Sequence, residues 1–344
     1  AYLHWVNSQG GINGHPIELI TYDDQYNPSV TIKNTIRLIE DDHVDLLYGY
    51  IGTPTVTRIL PLLKRFQDYP MFLFFPFTGA EPHRRAPYNA FVYNLRASYF
   101  QETKALVDYF VSQKKTNIAV LYQSDAYGRN GIEGVQIALE SHGLDMISDA
   151  AYYRGSDLTT SYSDQVDLFK NTSLDAIIVI GAYQASAGFI RDARNAGIQV
   201  PIANISFVGS QTLLGVLNAL SAEKKMDYTQ NLVFTTVVPH YNQVNLPAVK
   251  EYQRLLKAFK PDAPFGFTSF EGFLNAKILT VVLKKMSPPF RSIALQKAIE
   301  SMTRYNIGLS TPVSFGKGRR QGMNAVYGFT AQNNTLVPIK EWPK

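Results

Sequence analysis

Runs of strand-like apolar residues alternate with amphipathic, helix-spaced stretches along nearly the whole chain, and this alternation constrains the fold more than any other feature. Residues 44–50, 71–75, 117–122, 175–181, 200–205 and 232–237 are short apolar runs, the composition of strands buried on both faces. Residues 16–22 instead alternate apolar and polar side chains, which predicts a further strand. Between these runs, 29–42 repeats Val30, Ile32, Ile36 and Ile39 at helical spacing. Residues 53–65 predict a helix with Thr53 as its N-cap and Pro54 in its first turn. Helices are also predicted over 101–112, 128–142, 186–196, 247–259, 269–285 and 293–302. Gly10, Gly11 and Gly14 follow a helix and precede a strand. They predict a helix C-cap and turn, because a phosphate-binding loop needs the opposite order.

Strands joined by helices in this rhythm make an open parallel sheet wound on both faces. Two such units run in series, over about 1–95 and 96–235. The helix-rich stretch 240–310 has no sheet of its own and must return to one of them, so the domains are discontinuous. Residues 311–337, with Gly316, Gly318 and Gly322, predict a β hairpin or ribbon. The 344 residues suffice for two domains. A hydrophobic content of 45% with a net charge of only +5 excludes disorder, and the absence of cysteine excludes a disulfide scaffold, a zinc finger or a thiol nucleophile. The basic residues fall in scattered pairs such as Lys114-Lys115 and Lys284-Lys285, answered by nearby carboxylates, so no nucleic-acid partner is expected. The strongest apolar run, 69–77, holds nine residues with two prolines, too short for a membrane span.

A search for catalytic machinery returns nothing. The histidines at 4, 15, 43, 83, 142 and 240 are scattered and read as surface or turn residues. No Gly-x-Ser-x-Gly elbow and no phosphate loop is present. Neither a catalytic residue, a metal nor a cofactor is therefore expected. What stands out is four polar loops at strand carboxyl ends, where open α/β sheets bind ligands. They are Gly52-Thr53-Pro54-Thr55, Pro76-Phe77-Thr78-Gly79, Ser124-Asp125-Ala126-Tyr127-Gly128 and Ala182-Tyr183-Gln184. Free amides and the Thr53 hydroxyl could hold a carboxylate. The plainer reading makes Thr53 a simple cap and the tyrosines packing; four loops in register, two in each unit, favour binding.

Several segments carry a family resemblance. Trp5-Val6-Asn7-Ser8-Gln9-Gly10-Gly11-Ile12-Asn13-Gly14, Tyr22-Asp23-Asp24-Gln25-Tyr26-Asn27-Pro28, Leu121-Tyr122-Gln123-Ser124-Asp125-Ala126-Tyr127-Gly128 and Ile190-Arg191-Asp192-Ala193-Arg194-Asn195-Ala196-Gly197 follow in order. Together they resemble the type I periplasmic binding proteins of the leucine/isoleucine/valine-binding kind, over nearly the whole chain. The resemblance implies an α/β fold of two doubly wound parallel-sheet lobes joined by a three-strand hinge, with the ligand cleft between lobes. It implies lobes of 1–96 plus 239–327 and of 97–238 plus 328–344. It also implies a monomer, periplasmic or extracellular and membrane-anchored, that closes on a small molecule and delivers it to ABC permease subunits. Gly52, Thr53, Phe77 and Thr78 then match the carboxylate grip of the first lobe, and Tyr127 and Tyr183 match aromatic walls of the second.

Three departures qualify that expectation. The family begins with a strand and loop before its first helix, so about 25 residues are expected ahead of residue 1, including a central strand. The family disulfide is gone, with Tyr26 and Gly52 at the matching positions. The acidic residue that pairs with an α-ammonium is replaced by Ser206, and no Asp or Glu occurs from 200 to 221. Burying an ammonium without that partner would cost about 3–5 kcal/mol. The expected ligand is thus a small carboxylate or amide rather than an ordinary α-amino acid. The competing functions are a ligand sensor of the same fold that signals to a partner protein, and an enzyme, for which no nucleophile–base pair can be assembled.

Overall fold

The computed structural model describes residues 1–66, 70–287 and 292–343. In chain order the elements are α1 (Tyr2–Ser8), α2 (Pro28–Glu40), β1 (Leu47–Tyr48), α3 (Thr53–Arg65), β2 (Leu73–Phe74) and β3 (Val92–Tyr93). Next come α4 (Tyr99–Ser112), β4 (Ile118–Gln123), α5 (Ala126–Glu140), β5 (Ser148–Tyr152), α6 (Ser163–Lys170), β6 (Ala176–Ile180), α7 (Tyr183–Asn195), β7 (Ile202–Asn204), α8 (Ser210–Lys224) and β8 (Leu232–Thr236). The chain ends with α9 (Pro247–Phe259), α10 (Phe267–Lys284), α11 (Ser292–Glu300), β9 (Tyr327–Gln332) and β10 (Thr335–Pro338). Two compact units result: Ala1–Ala97 with Pro239–Asn324, and Ser98–Val238 with Ala325–Lys344.

The first unit is built on a parallel sheet in the order β1-β2-β3. Leu47, Leu73 and Val92 are buried from it against Val56, Ile59, Leu60 and Leu63 of α3. That face explains the helix: its apolar residues recur at three- and four-residue spacing. The predicted N-cap moves by one residue. Gly52 is the cap and Thr53 the first helical residue, with no side-chain cap bond. The glycine turn after α1 forms as expected, with Gly10 and Gly11 at positive φ and the Gly11 N–H closing on the Val6 carbonyl at 3.0 Å.

The strand expected over 16–22 does not form. Among the described residues no strand runs beside it, and a lone extended segment has no ladder to join. It is held instead by the Asn7 side chain, which donates to the Ile17 carbonyl and accepts from the Ile17 N–H, both at 2.8 Å. A groove of about 680 Å³ separates this segment from residues 44–51. The expected ribbon over 311–337 is also shorter. Only its last part pairs, β9 with β10, while 311–322 makes isolated bridges.

The second unit carries a sheet ordered β10-β9-β8-β7-β6-β4-β5, parallel from β8 to β5, with β9 antiparallel to β8. All five residues of β6 are buried, which is why its sequence is an unbroken apolar run. The arginines of the 190–197 motif stitch this unit together. Arg194, 1% exposed, donates to the carbonyls of Ile198 at 2.6 Å, Val200 at 3.1 Å and Gln230 at 2.8 Å. Arg191 donates to the Thr160 carbonyl at 3.0 Å and also to that of Leu158. Because β4 has β5 on one side and β6 on the other, the strand order reverses between β4 and β6. The crevice beyond their carboxyl ends is where this architecture places ligands.

Candidate functional site

In the first unit the loops after β1 and β2 meet. The Gly52 N–H donates to the Phe77 carbonyl at 3.1 Å, and the Phe77 N–H to the Tyr50 carbonyl at 2.7 Å. Gly52 has φ +98°, and a Cβ there would lie 2.0 Å from the Tyr26 ring. Glycine is required twice over, for its backbone and for the ring against it. The Tyr26 and Gly52 pair, expected at a lost disulfide, is thus in direct contact. The Thr53 and Thr78 hydroxyls share a hydrogen bond of 2.7 Å, and the Ala80 N–H donates to Thr78 Oγ1 at 3.2 Å. Phe75 turns the chain out of β2 with φ +53°, a strained conformation just before the Pro76-Phe77-Thr78 loop. The four predicted residues of this unit, Gly52, Thr53, Phe77 and Thr78, are therefore adjacent.

Two guanidinium groups support this loop. Arg84 donates to the carbonyls of Thr78 at 3.3 Å, Ala80 at 3.1 Å and Arg96 at 3.3 Å, and to Gln321 Oε1. Arg96, 1% exposed, lies over the Phe77 ring at 4.7 Å and 3.6 Å from a Glu271 carboxylate oxygen. Arg84 therefore brings a positive charge to the carbonyl side of this loop, while the Glu271 carboxylate offsets that of Arg96. His83 corrects the surface reading, since it is fully buried. Burial, then the Arg84 charge, push its pKa well below the ordinary 6.5, and the Arg96 charge adds to this.

In the second unit the loops after β4 and β6 flank the reversal point. Asp125 caps α5, accepting from the N–H groups of Tyr127 at 2.9 Å and Gly128 at 3.3 Å. Those amides are therefore engaged by their own cap. Gly128 packs so tightly that a Cβ would lie 1.8 Å from the Gln123 carbonyl oxygen. Tyr152, from β5, ties the two loops: its hydroxyl donates to Gln123 Oε1 at 3.2 Å and accepts from the Ala182 N–H at 3.1 Å. Burial raises its pKa, so it stays a neutral donor and acceptor. Tyr127 lies 4.7 Å from the Phe207 ring and 5.3 Å from Tyr99. Tyr183 opens α7 and its hydroxyl accepts from Gln184 at 3.3 Å, but no ring contact joins it to Tyr127. Ser206 stands beside Phe207 and donates from its N–H and hydroxyl to Glu102 at 2.8 and 2.9 Å. A carboxylate thus does meet Ser206, supplied from α4 rather than from residues 200–221.

Sequence reasoning missed Arg84, Arg96, Glu102, Tyr152 and Phe207. Glu102 alone left a signal, because it shares the buried helix face of Tyr99, Leu106 and Phe110, where a charge is out of pattern. Among the described residues, no group of three or more acidic or histidine side chains could hold a metal, and no helix is long and apolar enough to cross a membrane.

A two-unit α/β chain with polar loops at strand carboxyl ends has the architecture in which open sheets bind ligands. A family model described as periplasmic binding protein matches residues 1–335, and the chain belongs to that family, in its leucine/isoleucine/valine-binding-protein-like branch. The Leu/Ile/Val-binding protein of Escherichia coli (strain K12) is 21% identical over 262 residues, 76% of this chain and 66% of that protein. The chain thus spans just under two thirds of that relative's length. The crystal structure of a possible leucine/isoleucine/valine-binding protein from Rhodopirellula baltica SH 1 superposes with a TM-score of 0.88 at 26% identity, covering 98% of this chain and 89% of that one. A fatty acid ABC transporter substrate-binding protein from Thermomonospora curvata shares the fold, with a TM-score of 0.83 at 20% identity over 98% of this chain and 84% of that one.

Proposed function

We propose that this chain is the extracytoplasmic solute-binding component of an ABC importer, a monomer that closes on a small carboxylate-bearing or amide ligand and hands it to permease subunits. The observation that carries the reading is the Thr53–Thr78 hydroxyl pair at the ends of β1 and β2, backed by Arg84 and Arg96. A shared hydrogen bond uses one of the two hydroxyl protons, so one O–H is left to donate to an acid or amide oxygen. The guanidinium charge behind the loop strengthens that donation to an anion. Phe207 and Tyr183 of the second unit, both half-buried, suit an apolar ligand body, while Tyr127 is fully buried against the Phe207 ring. The relatives' ligands, branched-chain amino acids in one case and fatty acids in another, have a carboxylate in common. The Glu102 carboxylate beside Ser206 already accepts from the Ser206 N–H, the Ser206 hydroxyl and the Thr235 hydroxyl, which argues against its pairing with the ammonium of an ordinary α-amino acid.

Isothermal titration with leucine, benzoate, benzamide, 2-hydroxy-4-methylpentanoate and 4-methyl-2-oxopentanoate tests this. Binding of at least one acid or amide, with leucine at least tenfold weaker, is expected. Tight leucine binding would overturn the exclusion of amino acids. Failure of every compound would remove the carboxylate and amide reading.

A further inference from the structure

The ladder between β1 and β2 breaks step once, on both strands together. The N–H groups of Leu47 and Gly49 donate to the Phe72 and Phe74 carbonyls, each at 3.0 Å, in the even two-residue repeat of a parallel pair. The next such bond runs from Gly52 to the Phe77 carbonyl at 3.1 Å, three residues further along each strand. Register is kept, because Ile51 pairs with Phe77 as Tyr48 does with Phe74. Each strand thus carries one residue more than the alternation needs. Gly49 has φ +67° and Phe75 φ +53°, and that register sets the two opposite each other.

The rings record the same break. Phe74 shares a sheet face with Tyr93, its partner on β3, and stacks on it at 5.0 Å. Regular alternation would point Phe75 to the other face. Its ring instead lies 5.5 Å from that of Phe74 and 6.1 Å from that of Phe315, which packs on Tyr93 at 6.2 Å. Two successive residues therefore share one face. Pro76 supplies the reason: the next N–H due to β1 belongs to residue 76, and proline has none. The Pro76 carbonyl accepts from the Thr78 N–H at 2.9 Å, and Phe77 takes over the ladder, donating to the Tyr50 carbonyl at 2.7 Å.

We infer that Gly49 and Phe75 kink β1 and β2 as a matched pair, and that this kink positions the Thr53–Thr78 hydroxyl pair. The inference rests on the binding site proposed above and adds two positioning residues to it. Thr53 and Thr78 each follow a residue that the kink brings into the ladder, Gly52 and Phe77. Without the added residues the ladder would continue through 51 and 76, and Thr78 would turn to the opposite face, since a one-residue shift flips every side chain beyond it. A phenylalanine at positive φ is strained and persists only where its surroundings hold it. Gly49 is the half of the pair that can be altered cleanly, because a Cβ there meets nothing within 4 Å. A side chain at this position acts through φ alone.

Gly49→Asn, Gly49→Ala and Gly49→Val form a series of rising resistance to positive φ. Two readings are taken from each chain: amide hydrogen exchange at Gly52 and Phe77 without ligand, and isothermal titration with benzoate and 4-methyl-2-oxopentanoate. Gly49→Asn should leave both readings within about threefold of the parent. Gly49→Val should speed exchange at the two amides by about tenfold or more and weaken the acid that the parent binds by about tenfold, with Gly49→Ala between them. Thermal unfolding well above the titration temperature shows that each fold is kept; if the valine chain does not fold, the difference between Asn and Ala carries the test. A series that loses stability while exchange at the two amides and acid affinity stay unchanged overturns the inference, because the glycine then serves the strand alone. If an acid binds and Thr78→Val weakens it, yet the Gly49 series does not, the carboxylate reading stands and this inference alone falls. If neither acid binds and exchange still follows the series, the carboxylate reading falls and the kink stands. If neither acid binds and exchange is flat across the series, both fall together.

Discussion

Thr53 and Thr78, 25 residues apart in sequence, place their hydroxyl oxygens 2.7 Å from each other, and both side chains are buried. Replacing either one by valine strands the other in a dry setting, and Thr78→Val also deprives the Ala80 N–H of its acceptor. Each single change should therefore cost about 1–3 kcal/mol in stability. The double Thr53→Val/Thr78→Val chain removes both polar groups together, so its cost should fall short of the sum by about 1 kcal/mol. Urea unfolding of the four chains gives the cycle. Additive losses would mean that the two hydroxyls are not coupled.

The Tyr26 ring against Gly52 makes a second, separable prediction. Gly52→Ala forces a side chain into φ +98° and into the ring, 2.0 Å away. Strain of this kind costs about 1–3 kcal/mol, with the clash in addition. Shrinking the ring by Tyr26→Ala relieves the clash and leaves the backbone strain untouched. The double variant Tyr26→Ala/Gly52→Ala should thus lose less than the two single losses added, read as shifts in the urea midpoint. A double variant that loses the full sum would show that the ring and the glycine do not constrain each other.

What was legible in the sequence follows from which forces are local. The run over β6 reads as a strand because all its residues are buried, so composition alone reports the environment. The α3 helix reads from its spacing, and Thr53 and Thr78 stand out because polar loops recur at strand ends. The segment 16–22 misled because alternation reports a propensity, whereas a strand also needs a neighbour to bond. Arg84 stands beside Arg85 in sequence like any surface basic pair, yet it donates to four acceptors including Gln321, which is 237 residues away. Nothing near Arg84 in sequence announces those partners. Glu102 reaches Thr235 across 133 residues in the same way, and α8 escaped because its apolar residues do not form a narrow stripe.

His83 predicts a pH dependence of stability. Its pKa in the folded chain lies well below 6.5, through burial first and the neighbouring Arg84 charge second. Unfolding exposes the ring, which then takes up a proton below about pH 6.5. The unfolded chain binds more protons in that window, so stability is greatest above it and falls as pH drops through it. One such group contributes a slope of at most about 1.4 kcal/mol per pH unit. His83→Gln should flatten the curve between pH 7 and 5 by about that slope, measured by urea unfolding at each pH. An unchanged slope would locate the proton uptake at another group.

Arg84 separates charge from scaffolding at the proposed acid grip. Its guanidinium holds the carbonyls of Thr78 and Ala80 and brings a positive charge to the loop. Arg84→Gln keeps a shorter donor for those carbonyls and removes the charge. An anionic ligand gains from both roles, whereas a neutral amide of the same shape gains only from the scaffold. Benzoate and benzamide form such a pair, and isothermal titration of both against each chain reads the two roles apart. The substitution should weaken benzoate by about tenfold and benzamide by less than about threefold, since bonds and fields acting on an ionised partner are roughly twice as strong. The benzoate loss should also shrink as salt is raised, because screening already removes part of the charge term in the parent chain. Equal losses for the two compounds would assign Arg84 to loop scaffolding alone.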